Sequence, residues 1–310
     1  MGAYSLGKPD QSLEEIIVNA RQSAHLARRE NVDFRFCTEK LLRRFQEQKL
    51  LEGDIERAFQ NGEFQMYLQL YVDVQSGRVT GAEALTRWQH PAKGLLVPGM
   101  FIPILEGAGE IERLDFFMLE RLCAFLERNF GKKEGEFFVS CNFSRTNFVM
   151  PDFTKKCKEI IDKYEFDRGI LIFELTESPD ASDIEQIREN AMELREYGIK
   201  LALDDFGKGY TSFHDLLIYP VELLNLDKTL TDSVTSEKGY RIMKGIIETA
   251  HGLSVKCLAE GVESAEVLEK LKELSCDAVQ GYMFYYPLPE PEVEDILAKD
   301  RQIMQITSYT

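Results

Sequence analysis

The sequence predicts an α/β protein: a modified TIM-type (β/α)8 barrel with one antiparallel strand, preceded by a helical N-terminal segment. Two observations lead to this prediction. Apolar runs of strand length alternate with amphipathic helical patterns from about residue 63 onward. Several of these runs end in an acidic residue, and the C-terminal ends of parallel strands are where a barrel carries its functional site.

Eight runs have strand character, and most are separated by helical patterns. The strand-like runs are 64–74, 79–88, 137–143, 169–176, 200–206, 223–227, 255–260 and 278–284. The helical patterns cover 114–130, 153–164, 184–197, 240–252 and 265–274. Only residues 75–78 join the first two runs, which is too short for a crossover helix. These two runs should therefore form an antiparallel hairpin, which gives the barrel one reversed strand.

The first sixty residues lie outside this pattern. Ser12 and Glu15 form a capping-box signature ahead of an apolar helical stripe. Residues 32–36 then have the character of a short strand, and residues 38–59 that of a second helix. Because one helix and a lone strand bury too little apolar surface to fold alone, we expect either part of a neighbouring domain or a segment that packs on the barrel.

Composition narrows the classes of function. The chain has 310 residues, of which 44% are hydrophobic, so a large core is available. Its 53 acidic and 37 basic residues give a net charge of −16, which argues against general affinity for nucleic acid or anionic lipid. A site for an anionic substrate must then supply its own cations.

The sequence also bears on location and redox state. It contains neither a run of about 18 apolar residues nor a signal-peptide pattern, which predicts a cytoplasmic protein with no membrane span in this chain. The six cysteines form no CxxC pair and lack zinc-ligand spacing. We expect them to be reduced, buried thiols.

Six acidic residues stand at or near the ends of predicted strands. They are Glu83, Glu174, Glu177, Asp204, Asp205 and Glu260. A single acid is usually a solvated surface charge. Carboxylates at successive strand ends of one barrel, however, meet at the same rim, so the set predicts one convergent site.

Six motifs resemble, in order and spacing, those of the EAL-domain family. They are Glu83-Ala84-Leu85 with Arg87, Asn142-Phe143-Ser144, Glu174-Leu175-Thr176-Glu177, DDFGKGY at 204–210, AEGVE at 259–263, and Gln280-Gly281-Tyr282. The resemblance covers residues 57–300. It implies a cyclic-di-GMP phosphodiesterase that opens its substrate to linear pGpG in bacterial second-messenger signalling.

The N-terminal residues resemble a different domain. Residues 1–37 are similar to the closing helix and strand of a GGDEF (diguanylate cyclase) domain, although the GGDEF signature itself is absent. The resemblance therefore implies the C-terminal part of a GGDEF–EAL tandem protein. Residues 38–56 would be a helical linker, and residues 301–310 a C-terminal tail.

The resemblance also implies a metal site. Glu83, Asn142, Glu174 and Asp204 would bind one divalent cation, with Asp204 bridging to a second ion that Asp205 also binds. All five side chains are oxygen donors, which Mg²⁺ or Mn²⁺ prefers. Two such ions can activate a water and neutralise phosphoryl charge.

Other residues are candidates for catalysis and substrate binding. Glu260 is the candidate general base, because it ends a strand where it could take a proton from the attacking water. Orienting a metal ligand is the alternative role for it. Leu85, Arg87 and Gln280 are implied substrate contacts, and the guanidinium fork of Arg87 suits phosphate.

Two further features are carried by the resemblance. Glu177 lies on the opposite strand parity from Glu174, and by resemblance it braces the loop at 205–212, where glycines allow a tight turn. EAL domains commonly pair through the region after this loop, here 210–219. The resemblance therefore implies a homodimer.

One position departs from the family. The family motif Leu-Lys-Ile-Asp is Leu224-Asn225-Leu226-Asp227 here, so Asn225 replaces a lysine that helps to orient the attacking water. An asparagine can donate a hydrogen bond but carries no charge, and loss of one transition-state donor costs about 10²–10³ in rate. Lys228 has the other strand parity, so we do not expect it to substitute.

Three functions remain open at this point. The first is a metal-dependent phosphodiesterase, slowed by Asn225. The second is a catalytically weak or inactive EAL domain that acts as a cyclic-di-GMP receptor; the five oxygen donors argue against it, because a receptor has no chemical need for them. The third is a carboxylate lyase, which would need an enolising lysine or histidine at a strand end, whereas His90, His214 and His251 fall in predicted loops or helices.

Overall fold

The computed structural model describes residues 2–4, 13–29, 32–33, 35–131, 137–175, 184–208 and 213–307. The chain divides into two compact units. One comprises Met1–Glu63 with Pro98–Ala108, and the other comprises Phe64–Val97 with Gly109–Thr310. No helix among the described residues is both long and apolar enough to cross a bilayer.

The first unit contains a small βαβ arrangement and two further helices. Its elements are β1 (Gly2–Tyr4), α1 (Leu13–Arg29), β2 (Arg35–Cys37), α2 (Glu39–Gln60) and α3 (Pro98–Ala108). β1 and β2 pair in parallel, so the expectation of a lone strand was wrong. Three residues are too few to show the alternation that predicts a strand. Ser12 of the expected capping box lies outside the described residues.

α3 was not predicted because Pro103 stands inside it. A proline in a helix interior removes a backbone donor and normally argues against a helix. Here the buried side chains Phe101, Ile104 and Leu105 give α3 one apolar face, and α3 packs against α2 within the unit. Burial of that face offsets the lost hydrogen bond.

The second unit is a closed barrel. Its strands are β3 (Phe64–Asp73), β4 (Val79–His90), β5 (Gly94–Leu96), β6 (Phe138–Asn142), β7 (Leu171–Leu175), β8 (Lys200–Phe206), β9 (Leu223–Leu226), β10 (Lys256–Ala259), β11 (Ala278–Val279) and β12 (Leu288–Pro289). The barrel order is β3-β4-β6-β7-β8-β9-β10-β11 and returns to β3. β3 is antiparallel to both of its neighbours in the barrel, while the other barrel pairs are parallel. The predicted modified barrel with one reversed strand is thereby confirmed.

Helices cover the outside of the barrel. They are α4 (Ile111–Asn129), α5 (Arg145–Phe148), α6 (Phe153–Ile161), α7 (Ile184–Tyr197), α8 (Asp215–Ile218), α9 (Lys228–Ser233), α10 (Glu237–Gly252), α11 (Ala265–Glu273) and α12 (Glu290–Thr307). A 3₁₀ turn, Arg168–Ile170, precedes β7. α12 continues past residue 300, where the sequence analysis expected the barrel domain to end, and α2 continues past residue 56.

An aromatic cluster outside the barrel wall fixes two strand ends. The rings of Phe143 and Phe173 have centroids 4.6 Å apart, and Phe153 of α6 lies 5.1 Å from Phe143. Asn142 and Glu174 are the sequence neighbours of Phe143 and Phe173. Because successive side chains of a strand point to opposite faces, packing of the two rings outward directs Asn142 and Glu174 inward.

The last strand is shorter than predicted. The sequence pattern suggested a strand over 278–284, but β11 ends at Val279. The backbone of Gly281 lies so close to Val262 that a Cβ there would be 2.1 Å from the Val262 carbonyl oxygen. The chain then turns, and Gly281 O accepts from the N–H groups of Phe284 and Tyr285. Gln280 therefore stands directly at the rim.

Gly81→Ala should destabilise the barrel. A Cβ at Gly81, inside β4, would lie 2.6 Å from the backbone oxygen of Phe138 and 2.8 Å from Tyr71 Cδ2. Overpacking of this kind costs about 1–3 kcal/mol. Urea unfolding should show a lower midpoint with an unchanged slope.

The matched control is Gly245→Ala on α10, where nothing lies within 4 Å of the added Cβ. That variant should be as stable as the parent, or more stable by up to about 1 kcal/mol, because alanine favours a helix. Equal losses in the two variants would contradict the close packing at Gly81.

Candidate active site

The barrel topology brings the predicted site residues to one rim. Glu83 lies on β4, Asn142 ends β6, and Glu174 lies on β7. Asn142 and Glu174 are direct partners in the register of β6 and β7. Asp204, Asp205, Asn225, Glu260 and Gln280 lie at or near the ends of β8 to β11, on the same side of the barrel.

Two neutral amides hold the carboxylate of Glu83. Asn142 Nδ2 donates to Glu83 Oε1 at 2.8 Å, and Gln280 Nε2 donates to Glu83 Oε2 at 2.9 Å. Both oxygens of Glu83 are therefore oriented by side chains from two other strand ends. Side chains that are 59 and 197 residues away in sequence thus meet at this single carboxylate.

A third amide joins the next pair of acids. Asn225 Nδ2 lies 3.1 Å from Glu174 Oε1 and 3.3 Å from Asp204 Oδ1. Asn225 and Glu174 are each only 1% exposed. Asn225 is therefore a component of the cluster, and it supplies a hydrogen-bond donor at the position where the family resemblance leads one to expect a lysine.

The pairing of β8 is irregular at its two consecutive aspartates, Asp204 and Asp205. The pairing of β8 with β9 shifts between Leu203 and Phe206, and Asp205 has a φ of 54°, in the left-handed region. In a regular strand, Asp204 and Asp205 would point to opposite faces. Here both carboxylates act electrostatically on Glu260. Such a strained non-glycine residue is typical of functional sites.

Lys208 is a site residue that the sequence analysis did not single out. Its Nζ lies 2.9 Å from Asp205 Oδ1 and 3.9 Å from Asp227 Oδ2. The signal was available, because a lysine three residues after the second aspartate lies in the same turn. Lys228, in contrast, donates to the backbone oxygen of Gly261 at 3.1 Å and pairs with Glu263 at 3.2 Å.

Burial and mutual repulsion raise the pKa values of the cluster. Burial raises the pKa of Glu83 to about 7; the hydrogen bond from Gln280 opposes this shift, and the charge of Asp204 adds to it. For Glu174 and Glu260, burial and then the charge of Glu83 hold the pKa well above its usual range. The pKa of Asp204 is raised by burial and by Asp205.

This arrangement fits divalent cations. Buried like charges are stabilised when a metal ion lies among them, and hard cations prefer carboxylate and amide oxygens. Among the described residues, three buried oxygens of the cluster have no hydrogen-bond partner: Glu174 Oε2, Asn225 Oδ1 and Gln280 Oε1. These oxygens and the concentrated negative charge are what a site for hard cations requires.

The side chains expected to contact substrate extend from the cluster along β4. Glu83, Leu85 and Arg87 are each two residues apart, so their side chains lie on the same face of the strand. Arg87 is buried, its guanidinium donates to the Thr86 carbonyl at 2.9 Å, and it lies 5.8 Å from the centre of the Tyr67 ring. Burial lowers its pKa.

An exposed aromatic pair follows Gln280. The rings of Tyr282 and Tyr286 stack with centroids 4.5 Å apart and are 53% and 63% exposed.

Glu177 and residues 209–212 lie outside the described residues, so the expected bracing of the 205–212 loop stays a prediction.

The position of His90 differs from the expectation. His90, expected in a loop, ends β4 instead, where its Nδ1 accepts from the backbone N–H of Ala92.

The described cysteines Cys123, Cys141, Cys157, Cys257 and Cys276 are free and buried, as expected. The side chains of His251, Cys257 and Asp277 do lie within 4.8 Å of one another, but Asp277 is already hydrogen-bonded by the other two residues.

Fold and site together define the class of protein: a modified barrel with a carboxylate–amide cluster at its C-terminal rim. The chain belongs to the EAL family, because the model for the EAL domain matches residues 52–287.

Curated relatives are longer proteins. The cyclic di-GMP phosphodiesterase NbdA of Pseudomonas aeruginosa is 32% identical over 291 residues, which is 93% of this chain and 37% of the relative. The oxygen sensor protein DosP of Escherichia coli is 27% identical over 292 residues, which is 94% of this chain and 36% of the relative. The chain thus spans little more than a third of the length of these relatives.

Solved structures share the fold. The PaMucR phosphodiesterase in its c-di-GMP complex has a TM-score of 0.72 and 26% identity, covering 79% of this chain and 99% of that one. The EAL enzyme Bd1971 in its cAMP- and cyclic-di-GMP-bound form has a TM-score of 0.75 and 25% identity, covering 91% and 76% of the two chains.

The raised pKa values predict that the chelated protein loses stability as pH rises. The pKa of Glu83 is about 7 when folded, against a usual value of 4.5. Between these values the folded state binds more protons, so the stabilisation is complete below about pH 4.5 and is lost as pH rises through 7. Thermal unfolding in chelator should show this decline, on the order of 2–3 kcal/mol from Glu83.

Glu83→Gln should flatten this pH dependence, because a glutamine does not titrate. The matched control is Glu248→Gln, at a side chain of α10 that is 67% exposed, and it should leave the slope unchanged. A parent protein whose stability rises over the same pH range would contradict the buried-carboxylate interpretation.

Proposed function

We propose that this chain hydrolyses cyclic-di-GMP to linear pGpG in a reaction that depends on Mg²⁺ or Mn²⁺. One observation carries the proposal: acidic and amide side chains of β4, β6, β7, β8, β9 and the residue after β11 meet at the C-terminal rim, where they form two hydrogen-bonded groups, one around Glu83 and one around Asn225. Membership of the EAL family and the similarity to the phosphodiesterases NbdA and PaMucR support the choice of substrate.

The ligand set follows from the cluster. Glu83, Asn142, Glu174 and Asp204 would hold one ion, while Asp204 and Asp205 would hold the second. When bound, two such ions neutralise developing phosphoryl charge and lower the pKa of a water. The irregular end of β8 supports this assignment, because both carboxylates are close enough to Glu260 for their charges to raise its pKa.

Glu260 is proposed as the general base. It follows β10 directly, and it is close enough to Asp204 and Asp205 for their charges to raise its pKa. In the reaction, the water oxygen bonds to phosphorus, one ester P–O bond of the ring breaks, and a proton of the water passes to Glu260, while the released oxygen stays on the linear product and takes up a proton from solvent.

Substrate recognition is proposed for the face beside Glu83. Arg87 would pair with a phosphate, Leu85 would contact the dinucleotide, and Gln280 would contact it or keep Glu83 in place. Because the chain carries a net charge of −16, these groups and the ions must overcome repulsion of an anionic substrate. Tight binding should therefore require divalent cations.

A cyclic-di-GMP receptor is the second candidate, and Asn225 is the observation that favours it. The Asn225 amide holds Glu174 and Asp204 but carries no charge to orient an attacking water. Lys208 lies at Asp205, beyond this position. An EAL domain with Asn225 could bind the dinucleotide and cut it slowly or not at all.

The wider organisation is also proposed. Residues 1–37 would be the end of a GGDEF-type domain, which the parallel pairing of β1 with β2 around α1 supports. Residues 38–56 would be a linker, and the EAL domain would extend from about residue 57. A cytoplasmic homodimer formed through residues 210–219 is proposed from the family resemblance.

The parent protein should convert cyclic-di-GMP to pGpG with Mg²⁺ or Mn²⁺ and should not do so in chelator. Glu260→Gln should lower the turnover rate by about 10²–10⁴, because it removes the base while keeping the size of the side chain. Product analysis by chromatography over hours measures both effects. Glu266→Gln, in the first turn of α11, is the control and should retain the parent rate.

Calorimetry distinguishes the two candidates in the same samples. A protein that binds the dinucleotide equally well in chelator and in Mg²⁺, and forms no pGpG, would be a receptor. Unchanged hydrolysis by Glu260→Gln would refute the assignment of the base.

Asn225→Lys should raise the turnover rate by on the order of 10²-fold and change substrate affinity little. A charge directed at the attacking water acts mainly in the transition state, so it should affect kcat more than binding. The gain corresponds to about 3 kcal/mol. Single-turnover kinetics should be compared among the parent, Asn225→Lys and the control Asn225→Met.

In Asn225→Met, the methionine side chain is similar in length to that of lysine but carries no charge. It should be slower than the parent, because Glu174 and Asp204 lose their donor. If lysine and methionine change the rate equally, the position acts through shape, and its proposed electrostatic role is wrong.

A further inference from the structure

A second cavity opens at the opposite end of the barrel from the carboxylate cluster. Its volume is about 500 Å³, within the range of small-molecule sites. It is lined by residues at or just before the N-terminal ends of the parallel strands, including Phe138, Lys200, Leu223 and Lys256. Tyr71, near the C-terminal end of the reversed strand β3, also lines it.

The ammonium groups of two lysines lie near the same aromatic ring in this cavity. Lys200 Nζ lies 4.0 Å from the centre of the Phe138 ring, and Lys256 Nζ lies 5.7 Å from it. Neither ammonium has an ion pair or a hydrogen bond to another residue in the described part of the chain. A cation over a ring gains about 0.5–2 kcal/mol, but both ammoniums keep their capacity to donate hydrogen bonds.

Burial and the nearby charge of Lys256 both disfavour the charged form of Lys200. The pKa of Lys200 is lowered by burial, and repulsion from Lys256 lowers it further, although Glu222 opposes the shift. An anion between the two ammoniums would relieve both effects.

The acids that line the cavity are already paired with other groups. Glu222 accepts from the backbone N–H of Leu201 at 2.9 Å and pairs with Arg195 at 3.3 Å. Asp277 accepts from the backbone N–H of Cys257 at 2.8 Å and is hydrogen-bonded to His251.

The third acid, Asp73, accepts from both the backbone N–H and the hydroxyl of Ser76. The hydrogen bonds of all three carboxylates therefore go to groups other than the two lysines. The three carboxylates remain charged, so the positive charge of the cavity is local to the two ammonium groups beside the Phe138 ring.

We propose that this cavity binds a small organic anion, with its phosphate or carboxylate head between Lys200 and Lys256 and a flat apolar body against Phe138. The walls suit such a body, because Ile172, Leu223 and Leu258 line the cavity between the charged groups. Ligand sites commonly combine apolar walls with a few polar groups that fix orientation.

This site is independent of the phosphodiesterase activity. Lys200 begins β8 and Lys256 begins β10, and the opposite ends of these strands carry Asp204, Asp205 and Glu260. Failure of one proposal would therefore leave the other intact, and binding can be measured without turnover.

Isothermal titration calorimetry of the full chain in chelator tests the proposal with three probes. Phenyl phosphate offers both head and body, inorganic phosphate only the head, and benzyl alcohol only the body. Phenyl phosphate should bind with one-to-one stoichiometry and at least tenfold more tightly than either of the others. Lys200→Gln and Lys256→Gln should each weaken it at least tenfold.

Two controls locate the site. Lys244→Gln, on the exposed face of α10, should leave binding unchanged, and so should Arg87→Gln at the other rim. If Lys200→Gln fails to fold, Lys200→Met keeps the aliphatic stem over Phe138 and removes only the charge.

Several results would overturn the proposal. The site would be excluded if phenyl phosphate showed no saturable binding to the parent. It would also be excluded if the double variant Lys200→Gln, Lys256→Gln bound phenyl phosphate with the affinity of the parent. If inorganic phosphate bound as tightly as phenyl phosphate, the proposed contact of an apolar body with Phe138 would be wrong. Binding that is lost in Arg87→Gln and retained in the lysine variants would place the ligand at the opposite rim.

Discussion

The rest of the site depends on the close approach of like charges at one end of a barrel. Burial and then the charges of neighbouring carboxylates raise the pKa values of Glu83, Glu174, Asp204 and Glu260, which is unfavourable for a protein without cations. Three neutral amides make the arrangement possible by donating to the carboxylates without adding charge. The amides fix the positions of the oxygens, and the charge remains available to bind cations. This separation of positioning from neutralisation is what a site for divalent ions needs.

The strand ends that carry this cluster are not all regular. Where β8 meets β9, the register shifts, and Asp205 adopts a left-handed conformation. After β10, Gly261 has a φ of 69° and lies against the side chain of Lys228, which donates to its carbonyl. Both irregularities occur next to acidic residues of the cluster, at Asp204 and Asp205 and directly after Glu260. The local strain is offset by the packing of the surrounding barrel.

The sequence predicted the eight barrel strands, the reversed first strand and the convergence of Glu83, Glu174, Asp204 and Glu260 at one rim, because long apolar runs and strand-end carboxylates are strong signals. It missed β1 and α3, the first because three residues carry no periodicity and the second because Pro103 argues against a helix. It overextended β11, since nothing in a linear pattern reveals that Gly281 lies against Val262. The contacts of Lys208 with Asp205 and Asp227 depend on the irregular end of β8, which the linear pattern does not reveal. The hydrogen bonds of Asn225 could not be predicted at all, because they depend on three strands meeting.

The reversal of β3 also has a consequence for how the chain enters the barrel. In an all-parallel barrel the first strand begins at the floor, far from the chemistry. Here Phe64 pairs with Trp88, beyond Glu83 in the direction of the carboxylate rim, and Gln69 pairs with Glu83 itself. The polypeptide therefore enters the barrel at the rim that carries the carboxylate cluster, and its first barrel strand is the one that pairs with the segment around Glu83.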